Sequence, residues 1–110
     1  MSDLVTQSCT ACEGLTESLT AEQVELLMPQ LNDWQANEES TIISKQFSFA
    51  NFYETMAFVN AIAWIANKEN HHPDLEVGYN YCHVNFMTHA IKGLSHNDFV
   101  CAAKIDQLLT

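Results

Sequence analysis

Three times along the chain an apolar residue and a hydroxyl stand side by side, with a second apolar residue five positions after the first. The three sites are Leu19-Thr20 with Val24, Phe47-Ser48 with Phe52, and Leu94-Ser95 with Phe99. This spacing marks a helix start, because the hydroxyl caps free N–H groups while the two apolar side chains close over the entering chain. Gln23 and Asp98 follow Thr20 and Ser95 by three residues, which completes a capping box at both. Helices are predicted over 21–31, 49–68 and 96–108. In the long one, Phe49, Phe52, Tyr53, Met56, Val59, Ala63 and Ala66 recur at three- and four-residue steps and predict one buried stripe.

The stretches between these helices read as strands. Residues 34–37 and 41–47 flank the turn-like "NEES", and residues 75–79 and 81–88 flank Asn80; each pair predicts a hairpin. In the last arm Cys82, Val84 and Phe86 alternate with His83, Asn85 and Met87, so one face is apolar. The order helix, two strands, helix, two strands, helix implies an α+β fold, a two-layer sandwich with a four-stranded antiparallel sheet and three helices on one face. The uncovered face and the sheet edges then favour self-association. Residues 1–18 are small and polar and are expected to form a loosely held tail, leaving 19–110 as one domain.

Charge narrows the function. Fourteen carboxylates stand against four lysines, the net charge is -10, and the chain has no arginine. Phosphate-backbone binding needs a basic face, so nucleic acid and an anionic membrane are poor partners. The most apolar stretch, "MAFVNAIAWIA", is too short to span a bilayer and is interrupted by Asn60. With no basic leader or apolar signal core at the N-terminus, a cytoplasmic protein whose four cysteines are thiols is expected. Cys9 and Cys12 have metal-ligand spacing, but a zinc site needs a second pair, and no metal is assigned. Cys82 and Cys101 have the apolar neighbours of packed, inert thiols.

All five histidines fall between Glu69 and Asp98. His71 and His72 follow the long helix, where Asn70 and Pro73 end helical geometry, so consecutive rings can turn into one cleft. His89 closes the last strand just past Thr88, and Asp98 lies in the first turn of the last helix. Three imidazoles offer both proton donors and acceptors near neutral pH. Such a set suits proton transfer on a neutral heterocycle. His83 and His96 read as sheet-face and surface residues.

"HHP", a tyrosine six positions after the proline, "TH" ending ten positions after that tyrosine, then "KGLS" and an aspartate nine after the histidine form an ordered set. With Met56–Asn60, "GLSHNDF" and the leading "CTACEG", it resembles the pterin-4a-carbinolamine dehydratase family, in its bacterial form, over roughly Leu19 to Leu109. The resemblance implies a cofactor-free lyase whose substrate is a pterin. Such an enzyme removes water from 4a-hydroxytetrahydropterin to give quinonoid dihydropterin, which supports tetrahydropterin recycling for phenylalanine hydroxylase. It implies that His71, His72 and His89 are the active-site histidines, with His72 and His89 as the main proton-transfer pair and the acid and base left open. Asp98, Asn67, Asn70 and Leu75 are the implied substrate-side positions. Asn67 stands where the family usually carries an acidic residue, Leu75 where an aromatic is common, and Asn97 where the vertebrate type has arginine. The resemblance also implies a homodimer or homotetramer. It leaves a second possibility, a non-catalytic dimerisation module, since similar proteins in animals serve as dimerisation cofactors of a transcription factor. A metal held by the three histidines is a third.

Overall fold

The computed structural model describes residues 4–9 and 17–109. Helix α1, Ala21–Leu27, opens on a capping box, in which Thr20 Oγ1 accepts from the Gln23 N–H at 3.2 Å and Gln23 Oε1 accepts from the Thr20 N–H at 2.9 Å. It tightens into a 3-10 turn over Met28–Gln30, where Pro29 is tolerated because the first N–H groups of a turn are unpaired anyway. Strands β1, Gln35–Ala36, and β2, Ile43–Ser48, form the first hairpin. Its turn is closed by Asn37, whose side-chain oxygen accepts from the Thr41 and Ile42 N–H groups at 2.8 and 3.0 Å. Helix α2, Phe52–Glu69, leads to strands β3, Asp74–Val77, and β4, Tyr81–Phe86, and helix α3, His96–Gln107, ends the fold.

The sheet order is β1-β2-β4-β3, all pairs antiparallel, so the two expected hairpins lie side by side through β2 and β4. As expected from its alternation, β4 turns Cys82, Val84 and Phe86 inward, where they join Ile43 and Phe47 of β2. Val24, Phe58, Ile62, Phe99 and Ile105 from the three helices complete one core. Asp106 ties the far end of α3 to the sheet, accepting from Trp34 Nε1 at 2.9 Å, Lys45 Nζ at 3.0 Å and the Asn32 N–H at 3.1 Å.

Three expectations need correction. Helix α2 is capped by Asn51, not Ser48; Ser48 is the last residue of β2 and pairs with Tyr81. Asn51 Oδ1 accepts from the Glu54 N–H at 2.9 Å, and Glu54 Oε1 from the Ala50 N–H at 3.1 Å, a stronger start than one hydroxyl. The buried face of α2 is Thr55, Phe58, Ile62 and Ile65, while Phe52 and Tyr53 are exposed, Tyr53 by 90%. The helix is apolar on more than one side, so periodicity alone admits two answers. Finally, the N-terminal segment is not loose throughout. Leu4 is buried in the core, Val5 O accepts from Lys104 Nζ at 2.7 Å, and the Cys9 N–H donates to Glu69 Oε1 at 3.0 Å. Cys12 lies outside the described residues.

Candidate active site

Helix α2 ends at Asn70, which adopts the left-handed conformation (φ 53°) while the His71 N–H still bonds Ala66 O at 3.1 Å. That reversal separates the next two side chains. His71 turns inward and is buried, with its ring stacked on Phe86 at 5.9 Å between centroids, whereas His72 stays exposed. Pro73 then leads into β3. From the other side, β4 ends at Phe86, and the chain passes Met87 and Thr88 into a 3-10 turn over His89–Ile91. Thr88 and Gly93 form a small antiparallel bridge that holds this turn against the start of α3. Lys92 (φ 51°) supplies the left-handed residue that closes it.

The two boundaries meet at a cleft of about 170 Å³ lined by Asn70, His71, His72, Met87, His89 and Ala90. The three histidines singled out by spacing therefore share one hollow, and Asn70 stands with them. His89 is exposed, and its Nε2 is 3.6 Å from the equally exposed Asp74 Oδ2. A larger hollow of about 450 Å³ lies against the outer face of α2, lined by Phe52, Tyr53, Met56, Ala57 and Asn60, and has no histidine or carboxylate to act in it. Among the described residues no three His, Cys, Asp or Glu groups gather in a metal-binding cluster.

Asp98, expected on the substrate side, is fully buried and does not line the cleft. It stands behind His71, with Oδ1 2.7 Å from His71 Nε2. Its Oδ2 accepts from Thr88 Oγ1 at 2.8 Å and from the Ser95 N–H at 2.9 Å. The capping-box aspartate is thus also the partner of a cleft histidine, a role at the site but behind His71 rather than on the substrate side. Asn67 is exposed and Leu75 half-buried on β3, and neither lines the hollow. His83 sits half-buried on the open side of the sheet, opposite Gln46 and Glu76, and His96 is exposed, as expected.

Behind α3, Cys9 Sγ lies 3.5 Å from Cys101 Sγ, and Cys101 is buried. The contact with Cys9, then burial, pushes the Cys101 thiol far above the usual thiol range. Burial alone raises Cys82. These are packed thiols rather than thiolates poised to react.

The family model described as pterin 4 alpha carbinolamine dehydratase matches residues 17–108. A Legionella pneumophila (strain Lens) protein, provisionally named as a pterin-4-alpha-carbinolamine dehydratase, is 68% identical over 109 residues, 98% of this chain and 96% of that protein. A Nitrosospira multiformis protein under the same provisional name is 57% identical over 106 residues, 96% of this chain and 92% of its own. The crystal structure of a transcriptional coactivator/pterin dehydratase from Brucella melitensis superposes with a TM-score of 0.81 at 26% identity, covering 86% of this chain and all of that one. A pterin dehydratase-like protein identified as a RuBisCO assembly factor in the alpha-carboxysome shares the fold, with a TM-score of 0.61 at 22% identity over 72% of this chain and 92% of that one. The helix-boundary histidines, the strand-end histidine and the buried aspartate thus sit in a chain matched over nearly its full length, and the chain belongs to the pterin 4 alpha carbinolamine dehydratase family.

Proposed function

We propose that this protein dehydrates a 4a-hydroxytetrahydropterin to the quinonoid dihydropterin. The observation that carries the reading is the meeting of His71, His72 and His89 at one cleft. The C4a hydroxyl leaves as water only if an acid protonates it, and N5 must give up its proton to a base. His72 and His89, exposed at the cleft, are the proton-transfer pair, with Asp74 beside His89. His71, buried and held by Asp98, orients the pterin. The pair carries no separate assignment of acid and base. Every proton step is met by these side chains, so no cofactor is required. In the cytoplasm a reductase then returns the quinonoid product to the tetrahydropterin pool that serves an aromatic amino acid hydroxylase such as phenylalanine hydroxylase. Copies of the chain associate through the exposed outer face of α2, where Phe52, Tyr53 and Trp64 are 49%, 90% and 65% exposed. No described helix is long and apolar enough to cross a membrane.

The same α2 face favours the second reading, a non-catalytic module whose apolar helix surface binds a partner. One assay separates the two. In stopped flow, the protein should accelerate quinonoid dihydropterin formation from a synthetic 4a-carbinolamine. His72→Ala and His89→Ala should each lower kcat/KM by about 10²-fold or more, the scale of one general acid or base. Wild-type protein that leaves the spontaneous rate unchanged would sink the dehydratase reading.

A further inference from the structure

With Asp98 ionised, the hydrogen bonds around it have one consistent direction. An ionised carboxylate is purely an acceptor, so each of its partners must donate. The single hydrogen of Thr88 Oγ1 is therefore spent on Asp98 Oδ2 at 2.8 Å. Thr88 Oγ1 is also 2.7 Å from Ser95 Oγ, and having given its own proton it can only accept there. The order runs Ser95 hydroxyl to Thr88 hydroxyl to Asp98 carboxylate. On the other oxygen, His71 Nε2 must carry its proton toward Oδ1 at 2.7 Å. In the neutral ring this makes Nε2–H the donor and Nδ1 the acceptor nitrogen.

From this chain of donors we infer that Thr88 is a positioning residue, whose side-chain hydroxyl holds the Asp98 carboxylate so that the cleft histidine His71 is kept in its Nε2–H tautomer. Thr88 and Asp98 are 1% and 0% exposed, so no bulk water stands ready to replace the hydroxyl. The main chain of Thr88 is fixed independently, its N–H bonding Gly93 O at 2.8 Å, so the side chain can be altered without moving the backbone. Thr88 also precedes His89 directly. One residue therefore links the strand-end histidine to the partner of the helix-end histidine. Its expected effect on turnover rests on the dehydratase reading; its effect on the ring does not.

The test is ¹⁵N spectroscopy of the histidine rings, alongside turnover. In wild type, His71 should show a protonated Nε2 and an unprotonated Nδ1. Thr88→Val keeps the shape and removes only the hydroxyl; the two ring nitrogens should move toward averaged shifts. kcat/KM should fall about ten- to a hundredfold, the scale seen when an outer hydrogen-bond partner of a functional side chain is lost. Thr88→Ser should restore both. A wild-type His71 in the Nδ1–H form would overturn the inference with no variant needed. So would unchanged ring shifts in Thr88→Val, or a Thr88→Ser variant as impaired as Thr88→Val. Should Thr88→Val fail to fold, Ser95→Ala replaces it, since it strips the donor to Thr88 Oγ1 and should move the His71 shifts less far in the same direction. No movement there would equally overturn the role. Ring shifts as expected in a protein without turnover would defeat the dehydratase reading and leave the role of Thr88 standing.

Discussion

Asp106 sits near the far end of the helix whose first turn carries Asp98, and the two carboxylates should respond to mutation in opposite ways. Asp106 is 9% exposed and takes three donors from the sheet side of the molecule. In Asp106→Ala the buried Trp34 indole N–H loses its partner, which costs about 1–3 kcal/mol for a buried unsatisfied donor. Lys45 loses a carboxylate at 3.0 Å but keeps Asn32 O at 2.6 Å and the Phe47 ring face, and it is 17% exposed. Its share is about 1 kcal/mol, discounted for access to water. The Asn32 N–H belongs to an exposed residue and can turn to solvent. The total is about 2–4 kcal/mol, or roughly 10–20 °C in Tm for a domain of this size. Asp106→Asn keeps an acceptor for Trp34 and should lose about half as much. Urea unfolding gives the free energies, and turnover measured well below the variant's Tm gives the activity. Since Asp106 touches neither the cleft nor His71, kcat/KM should stay within about twofold of wild type. A destabilisation under 1 kcal/mol, or a tenfold loss of turnover in folded protein, would refute the division of labour between the two aspartates.

Two further outcomes follow from the same contacts. Cys82 and Cys101 are raised by burial, and Cys101 first by its contact with Cys9, so the folded state holds their protons where the unfolded chain releases them. Stability should therefore be flat with respect to these groups below about pH 9 and decline above it, and Cys82→Ala with Cys101→Ala should flatten the alkaline slope in urea titrations. His83→Ala and His96→Ala should leave kcat/KM within about twofold, because neither lines the cleft; equal losses at all four positions, with His72 and His89, would mean that the cleft has been misidentified.

Much of the architecture was legible because its signals are local. The capping pairs at Thr20 and Ser95 reach only three residues along the chain, and the alternation of Cys82, Val84 and Phe86 has one solution once a face is buried. Helix α2 shows where locality fails. Periodicity counts apolar side chains without knowing what they pack against, and the sheet took Thr55, Phe58, Ile62 and Ile65 while leaving Tyr53 and Trp64 outside. The same limit divides the site. Spacing brought His71, His72 and His89 into view because helix ends and strand ends are where side chains can leave the regular pattern. It could not tell that His71 points inward and His72 outward, which follows from one left-handed residue, Asn70.

Asp98 marks the deeper difficulty. Its position three residues after Ser95 is fully explained by helix capping, and its place nine after His89 pointed to the substrate side rather than to a buried partner of His71. Only packing the start of α3 against the end of α2 makes one carboxylate serve both, with Oδ2 closing the helix at Ser95 and Oδ1 holding His71. That economy has a physical consequence. The helix start cannot fray without releasing the cleft histidine, because the same carboxylate carries both bonds. Changes at Ser95, Thr88 or Asp98 should therefore couple stability to turnover. Changes at Asp106, on the same helix, should not.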